Sequence, residues 1–191
     1  MTDEAPTPPD DYAGWLSDVG LSQFLTPDGI RISGLELSNQ DFRNSGPISL
    51  DSVLLNSPQF DRGTFGELRI EQSVLKAASF HKCIQLGDVE FEDVRFVSSS
   101  FVQASLWKAR ISRVVFVDCD LLATSFADAH LVDVEFERCR FHKTIFRGAV
   151  LDRVSVIDPT VEGPIYSSEA IISGDTGGDP FEGLWTDRTT S

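Results

Sequence analysis

Large apolar residues recur at every fifth position through the middle of the chain: Leu86, Phe91, Phe96, Phe101, Leu106, Ile111, Phe116, Leu121, Phe126, Leu131, Phe136, Phe141, Phe146, Leu151 and Val156. Fifteen consecutive hits are not chance in a sequence that is 41% hydrophobic. A second row lies two residues earlier: Ile84, Val89, Val94, Ser99, Ala104, Ala109, Val114, Cys119, Thr124, Ala129, Val134, Cys139, Thr144, Ala149 and Val154. None of these is charged and most are small. A helix repeats near 3.6 residues and a strand at 2, so a period of five fits neither. It predicts a chain that turns a corner every five residues and closes a square coil in four units. Both rows then point inward, and successive coils stack about 4.8 Å apart.

The same row runs earlier in shifted registers, as Ile32, Leu37 and Phe42 and as Leu50, Leu55, Phe60, Phe65, Ile70, Leu75 and Phe80. The six-residue step from Phe80 to Leu86, and the longer step past Gly46-Pro47, read as bulges absorbed at corners. In its units the chain resembles the pentapeptide-repeat proteins, with a small residue, a polar residue, a central Leu or Phe and two variable residues. Ser125-Phe126-Ala127-Asp128-Ala129-His130-Leu131 and Thr144-Ile145-Phe146-Arg147-Gly148-Ala149-Val150-Leu151 show it. The resemblance covers Ile30 to Asp158 and implies an all-β right-handed quadrilateral β-helix. Phe91, Phe96, Phe101, Phe116, Phe126, Phe136, Phe141 and Phe146 are the expected structural core.

A column needs covered ends, because unpaired strand edges invite aggregation. Tyr12, Trp15, Leu16 and Val19 follow i, i+3, i+4, i+7 and predict a short capping helix after Pro8-Pro9. The expected organisation is a disordered tail over 1–9, a helical cap over 10–29, the β-helix over 30–158, and a C-terminal cap segment with an acidic flexible tail over 159–191. Within that tail Phe181, Leu184 and Trp185 stand in polar surroundings. They either fold back on the last coil or form a docking motif for another protein.

Charge sharpens the picture because of where it lies. The net charge is −14. Residues 1–29 contribute −6, residues 159–191 contribute −5, and the repeat region, with eighteen acids against fifteen bases, contributes −3. The column is nearly balanced, which argues against direct nucleic-acid binding. The acidic, Pro-rich start shows no secretory signal, and no apolar run is long enough to span a bilayer, so the expected location is cytoplasmic. Cys119 and Cys139, twenty apart, should stack on one wall as small core residues, with a metal or redox pair as the rival reading.

No nucleophile motif, phosphate loop or metal-ligand spacing is present, and His81, His130 and His142 are scattered. The chain therefore reads as a non-catalytic scaffold or regulator without a cofactor, a monomer or homodimer that acts by binding another protein. Its candidate contact residues are apolar side chains at outward positions: Val97, Val102, Trp107, Val115, Val117 and Leu122, together with Phe181, Leu184 and Trp185. The family resemblance implies an alternative. Some pentapeptide-repeat proteins mimic duplex DNA, bind type II topoisomerases such as DNA gyrase, and protect them from inhibitors.

Overall fold

Five-residue steps close a square when the backbone reverses its sense at the corners, and most steps do so at the second residue after the central apolar one. In a computed structural model, which describes residues 25–26, 29–33, 36–38, 47–173 and 179–186, these corner residues have left-handed φ. From Asp93 to Asp128 they are Asp93, Ser98, Gln103, Lys108, Arg113, Asp118, Ala123 and Asp128, with φ of 51–58°. Gly148, at φ 65°, is the glycine of this series. Each left-handed residue costs an L-amino acid about 1–2 kcal/mol. A hydrogen bond between coils offsets the cost at each corner. The amide of Ser98 donates to the Val117 carbonyl (2.8 Å), that of Gln103 to Leu122 (2.8 Å) and that of Lys108 to Ala127 (2.9 Å).

The stacking register is twenty residues, as the pattern predicts. Ile111 aligns with Leu131 and Phe116 with Phe136 in parallel, and Leu131 aligns with Leu151. One-residue insertions shift it locally to twenty-one. The first falls after Phe65, opposite Leu86-Gly87, and the second in Glu162-Gly163-Pro164, where Thr144 aligns with Ile165. The first wall carries Phe91, Ile111, Leu131 and Leu151. The second carries Phe96, Phe116 and Phe136, the third Phe101, Leu121 and Phe141, and the fourth Leu106, Phe126 and Phe146. On the first two walls the strands run through the corner without a break, as Arg110–Val117, His130–Glu137 and Val150–Ile157.

The interior is filled by rings. Phe60 and Phe80 stack at 4.4 Å, Phe116 and Phe136 at 5.0 Å, and Phe126 and Phe146 at 5.0 Å, while Phe96 meets Phe101 edge-on at 5.1 Å across the column. All eight core phenylalanines expected from the pattern are fully buried. The small row is buried beside them, and its polar members are satisfied by the coil before. The Thr124 hydroxyl donates to the Phe101 carbonyl (2.8 Å) and that of Thr144 to Leu121 (2.9 Å).

The ends differ from the sequence reading. The expected N-terminal helix on Tyr12, Trp15, Leu16 and Val19 lies outside the described residues. Leu25–Thr26, assigned to that cap, is a strand pairing antiparallel with Gly29–Ser33. The C-terminal boundary at Asp158 is too early. Thr160–Val161, Ile165–Tyr166 and Ile171–Ser173 each pair in parallel with the coil before them. The flexible tail expected within 159–191 fails at Ile171–Ser173, because weak five-residue spacing there hid a register that backbone pairing still satisfies.

Candidate functional site

The outward side chains form vertical rows, since equivalent positions lie one coil apart. Stacked like charges would repel, and the rows at the corners flanking the second wall alternate instead. At the corner between the first and second walls stand Asp93, Arg113, Asp133 and Arg153. Arg113 donates to both oxygens of Asp93 (2.6 and 2.9 Å), and Arg153 to both of Asp133 (2.6 and 2.9 Å). At the next corner Arg138 donates to both oxygens of Asp118 (2.8 and 3.1 Å). These hydrogen bonds hold the Asp93, Asp118 and Asp133 carboxyls below the ordinary carboxylate range and raise the arginines further. A shallow open groove of about 320 Å³ follows the first of these corners, between Gln72, Asp93, Arg95 and Arg113.

The candidate contact residues separate into three groups. Trp107, on the fourth wall, is 46% exposed. Its indole N–H donates to Asp128 (3.0 Å), and the Lys108 ammonium lies 4.2 Å from its ring centroid. Val97, Val102, Val115 and Leu122 are half-buried. Val117 and Phe181 correct the sequence reading, because neither is exposed. Val117 is 4% exposed and pairs with Val97 on one side and Glu137 on the other. Phe181 is fully buried, 4.9 Å from the Phe146 ring and 5.4 Å from Phe141. Leu184 and Trp185 pack half-buried against the same core. This segment folds back as a plug, fixed by Asp179, which accepts the Phe181 amide (2.9 Å) and the Trp185 indole N–H (2.5 Å).

The cysteines sit in the small inward row. The Cys139 thiol lies 3.3 Å from the Phe116 carbonyl, and Cys119 lies 3.4 Å from that of Val117. Burial pushes the Cys83 thiol up to about 12. The neighbouring Cys139 thiol, then burial, push Cys119 up as well. Among the described residues no group of His, Cys, Asp and Glu could hold a metal ion, and no helix is long and apolar enough to cross a membrane.

A square parallel solenoid with a five-residue step defines the class of protein. Residues 89–163 match the family model described as a pentapeptide repeat region, and these residues are a pentapeptide-repeat β-helix. No curated protein matches the chain. Among solved structures it is similar to a pentapeptide repeat protein, Rfr23, from the cyanobacterium Cyanothece 51142, at 14% identity over 74% of this chain and 90% of that one, with a TM-score of 0.31. It is similar to HetL, a pentapeptide repeat protein involved in heterocyst differentiation regulation from the cyanobacterium Nostoc sp. strain PCC 7120, at 10% identity over 74% and 84%, TM-score 0.27. Full-length QnrB1, a plasmid-mediated fluoroquinolone resistance protein, shares 15% identity over 80% and 86%, TM-score 0.28. Likeness this low transfers no residue role to the present chain.

Proposed function

We propose that this protein is a non-catalytic interaction module that binds another protein through the outer walls of its β-helix. The observation that carries this reading is Trp107. A large indole is held in one orientation on the outside of a column whose interior is already filled by stacked rings. An aromatic side chain ordered before binding loses little entropy on contact, and tryptophan is enriched among residues that dominate interface energies. The half-buried Val102 and Leu122 add apolar surface on the third wall. Affinity capture with the wild type and with Trp107→Asp tests the reading. The variant is expected to keep the circular-dichroism spectrum and lose partners, and retention of every partner by a folded variant counts against it.

The duplex-mimic alternative has less support. A mimic needs negative charge in continuous lines along the column, and the two corner rows flanking the second wall alternate acid with base. A supercoiling assay with purified DNA gyrase separates the two readings. Interaction without topoisomerase modulation is the expected result, and inhibition or protection at stoichiometric amounts favours mimicry.

A further inference from the structure

The cations of the column fall into two populations. Arg69, Arg95, Arg110, Arg113, Arg138, Arg140 and Arg153 each lie within 4.0 Å of a carboxylate. They occupy the first and second walls, the corners flanking the second wall, and the near edge of the third. Among the described residues Arg62, Lys76, Lys82, Lys108, Lys143 and Arg147 make no ion pair. Lys76 stands apart on the second wall, and Lys108 shares its corner with Asp88 and Asp128 one coil to either side.

Arg62, Lys82 and Lys143 share a single corner, between the third and fourth walls. Gln103 and Ala123 complete that stack, and no acid stands in it. Backbone bonds fix the order: Arg62 N–H to His81 (2.8 Å), Lys82 N–H to Val102 (2.9 Å), Gln103 N–H to Leu122 (2.8 Å) and Ala123 N–H to His142 (2.7 Å). In the two coils where the corner lacks a cation, the adjoining third-wall positions are the half-buried Val102 and Leu122. Two acids of that adjoining row are engaged elsewhere. Asp61 accepts the His81 amide (2.9 Å) and the Ser79 hydroxyl, and Glu162 lies 3.7 Å from Arg140. Along the column this edge reads cation, apolar, apolar, cation. Lys82 and Lys143 are three coils apart, about 14 Å at 4.8 Å per coil, which four to five residues of extended chain span at about 3.3 Å each.

We propose that this corner is a docking edge for a short extended segment of a partner protein, one with carboxylates at both ends and apolar side chains between them. The proposal rests on the interaction role above and gives it a place and a chemistry. Charge complementarity identifies the occupant. Carboxylates arriving here meet cations that no residue of the column has neutralised, whereas at the corners flanking the second wall they would have to displace existing partners. The apolar centre would cover Val102 and Leu122. A phosphate polymer fits less well, since it presents charge at every step to a repeat region carrying eighteen acids against fifteen bases.

Panning a displayed library of random dodecapeptides on the full chain tests this. Enriched sequences are expected to carry acids four to five residues apart around Leu, Val or an aromatic residue. A fluorescent copy of the enriched peptide should bind Lys82→Asn/Lys143→Asn about tenfold more weakly, and Lys76→Asn as the wild type does. Asparagine tolerates the left-handed backbone at both corner positions, so the fold is kept, and circular dichroism verifies it. Enrichment without acids, unchanged affinity in the double variant, or displacement of the peptide by a single-stranded oligonucleotide overturns the proposal. Binding lost in Trp107→Asp but unaffected by the double variant leaves the interaction role standing and removes this corner from it.

Discussion

A phenylalanine in the middle of the column and one in the plug should differ in what they contribute, although both are fully buried. Phe116 stacks between Phe96 at 5.2 Å and Phe136 at 5.0 Å, and it meets Phe101 edge-on at 5.5 Å. Coils lie above and below it, so truncation to alanine leaves a cavity that neither neighbour can fill without breaking the twenty-residue register. The expected cost is the full value for a core phenylalanine, about 3–5 kcal/mol. At about 2–4 °C per kcal/mol for a chain of this size, Phe116→Ala lowers Tm by about 10 °C. Phe181 touches Phe146, Phe141 and Trp185 from one side only. When it is truncated, residues 179–186 can undock while the coils stay stacked, and local opening caps the loss at the docking energy of the plug. We expect about 1.5–3 kcal/mol for Phe181→Ala, the transfer value for one buried large apolar side chain. Thermal and urea unfolding by circular dichroism measure both, and red-shifted Trp185 emission in the native state of Phe181→Ala reports the undocked plug. A Phe181→Ala variant as destabilised as Phe116→Ala would mean that the plug belongs to the cooperative unit, and the reasoning fails.

Gly148→Ala should cost about 1–2 kcal/mol: its φ is 65°, and an added Cβ would lie 2.3 Å from the Asp128 carboxylate that also holds Trp107. Altered Trp107 fluorescence should accompany the lowered Tm; a Tm within 1 °C or so of wild type argues against strain at this corner. The corner ladders set an acid limit. Because the folded-state pKa values of Asp93, Asp118 and Asp133 are depressed, their contribution is complete above the unfolded value of about 3.9 and is lost as pH falls through the folded ones. Tm should therefore fall below about pH 4, less steeply in Asp93→Asn/Asp118→Asn/Asp133→Asn, and equal slopes in the two proteins contradict the assignment. The three thiols should resist Ellman's reagent at pH 8 in the native protein and react fully in guanidinium, since Cys83, Cys119 and Cys139 are all buried. Rapid native labelling would place at least one of them outside the column.

The inward rows were legible from spacing alone because each step of five must bury its central residue and its small one, whatever their identity. Ser99, Thr124 and Thr144 show how strong that constraint is: polar residues stay in the row and donate to backbone carbonyls. The walls were less legible. Sequence counts a valine at an outward position as exposed, but Val117 is 4% exposed between Val97 and Glu137 of the neighbouring coils. How far a neighbouring side chain leans over an outward position is not carried by any periodicity of five. The plug was legible in part. Phe181 lies twenty residues after Val161 and forty after Phe141, and folding back on the last coil was one of the two readings, but the glycines and acids around it left a docking motif equally open to spacing alone. The left-handed corners gave no composition signal either, because Arg, Lys, Gln, Asp and Ala occupy them and glycine is the exception.

Stacking at a fixed register also decides what charge the column can present. An acid repeated at one position in every coil would place carboxylates about 4.8 Å apart along a row, within a Debye length and with no counter-charge. The chain avoids this on its first corner by alternating Asp93, Arg113, Asp133 and Arg153, so that each acid is held by the coil that follows. Neutrality of those walls thus follows from using charge to fasten coils together. The excess negative charge falls mainly in residues 1–29 and 159–191. The third-fourth corner makes the opposite choice. Arg62, Lys82 and Lys143 are left unpaired where a single Asp at position 103 or 123 would have continued the ladder. Leaving those cations unneutralised gives up coil-to-coil fastening, and it keeps this edge able to attract a carboxylate from outside the chain.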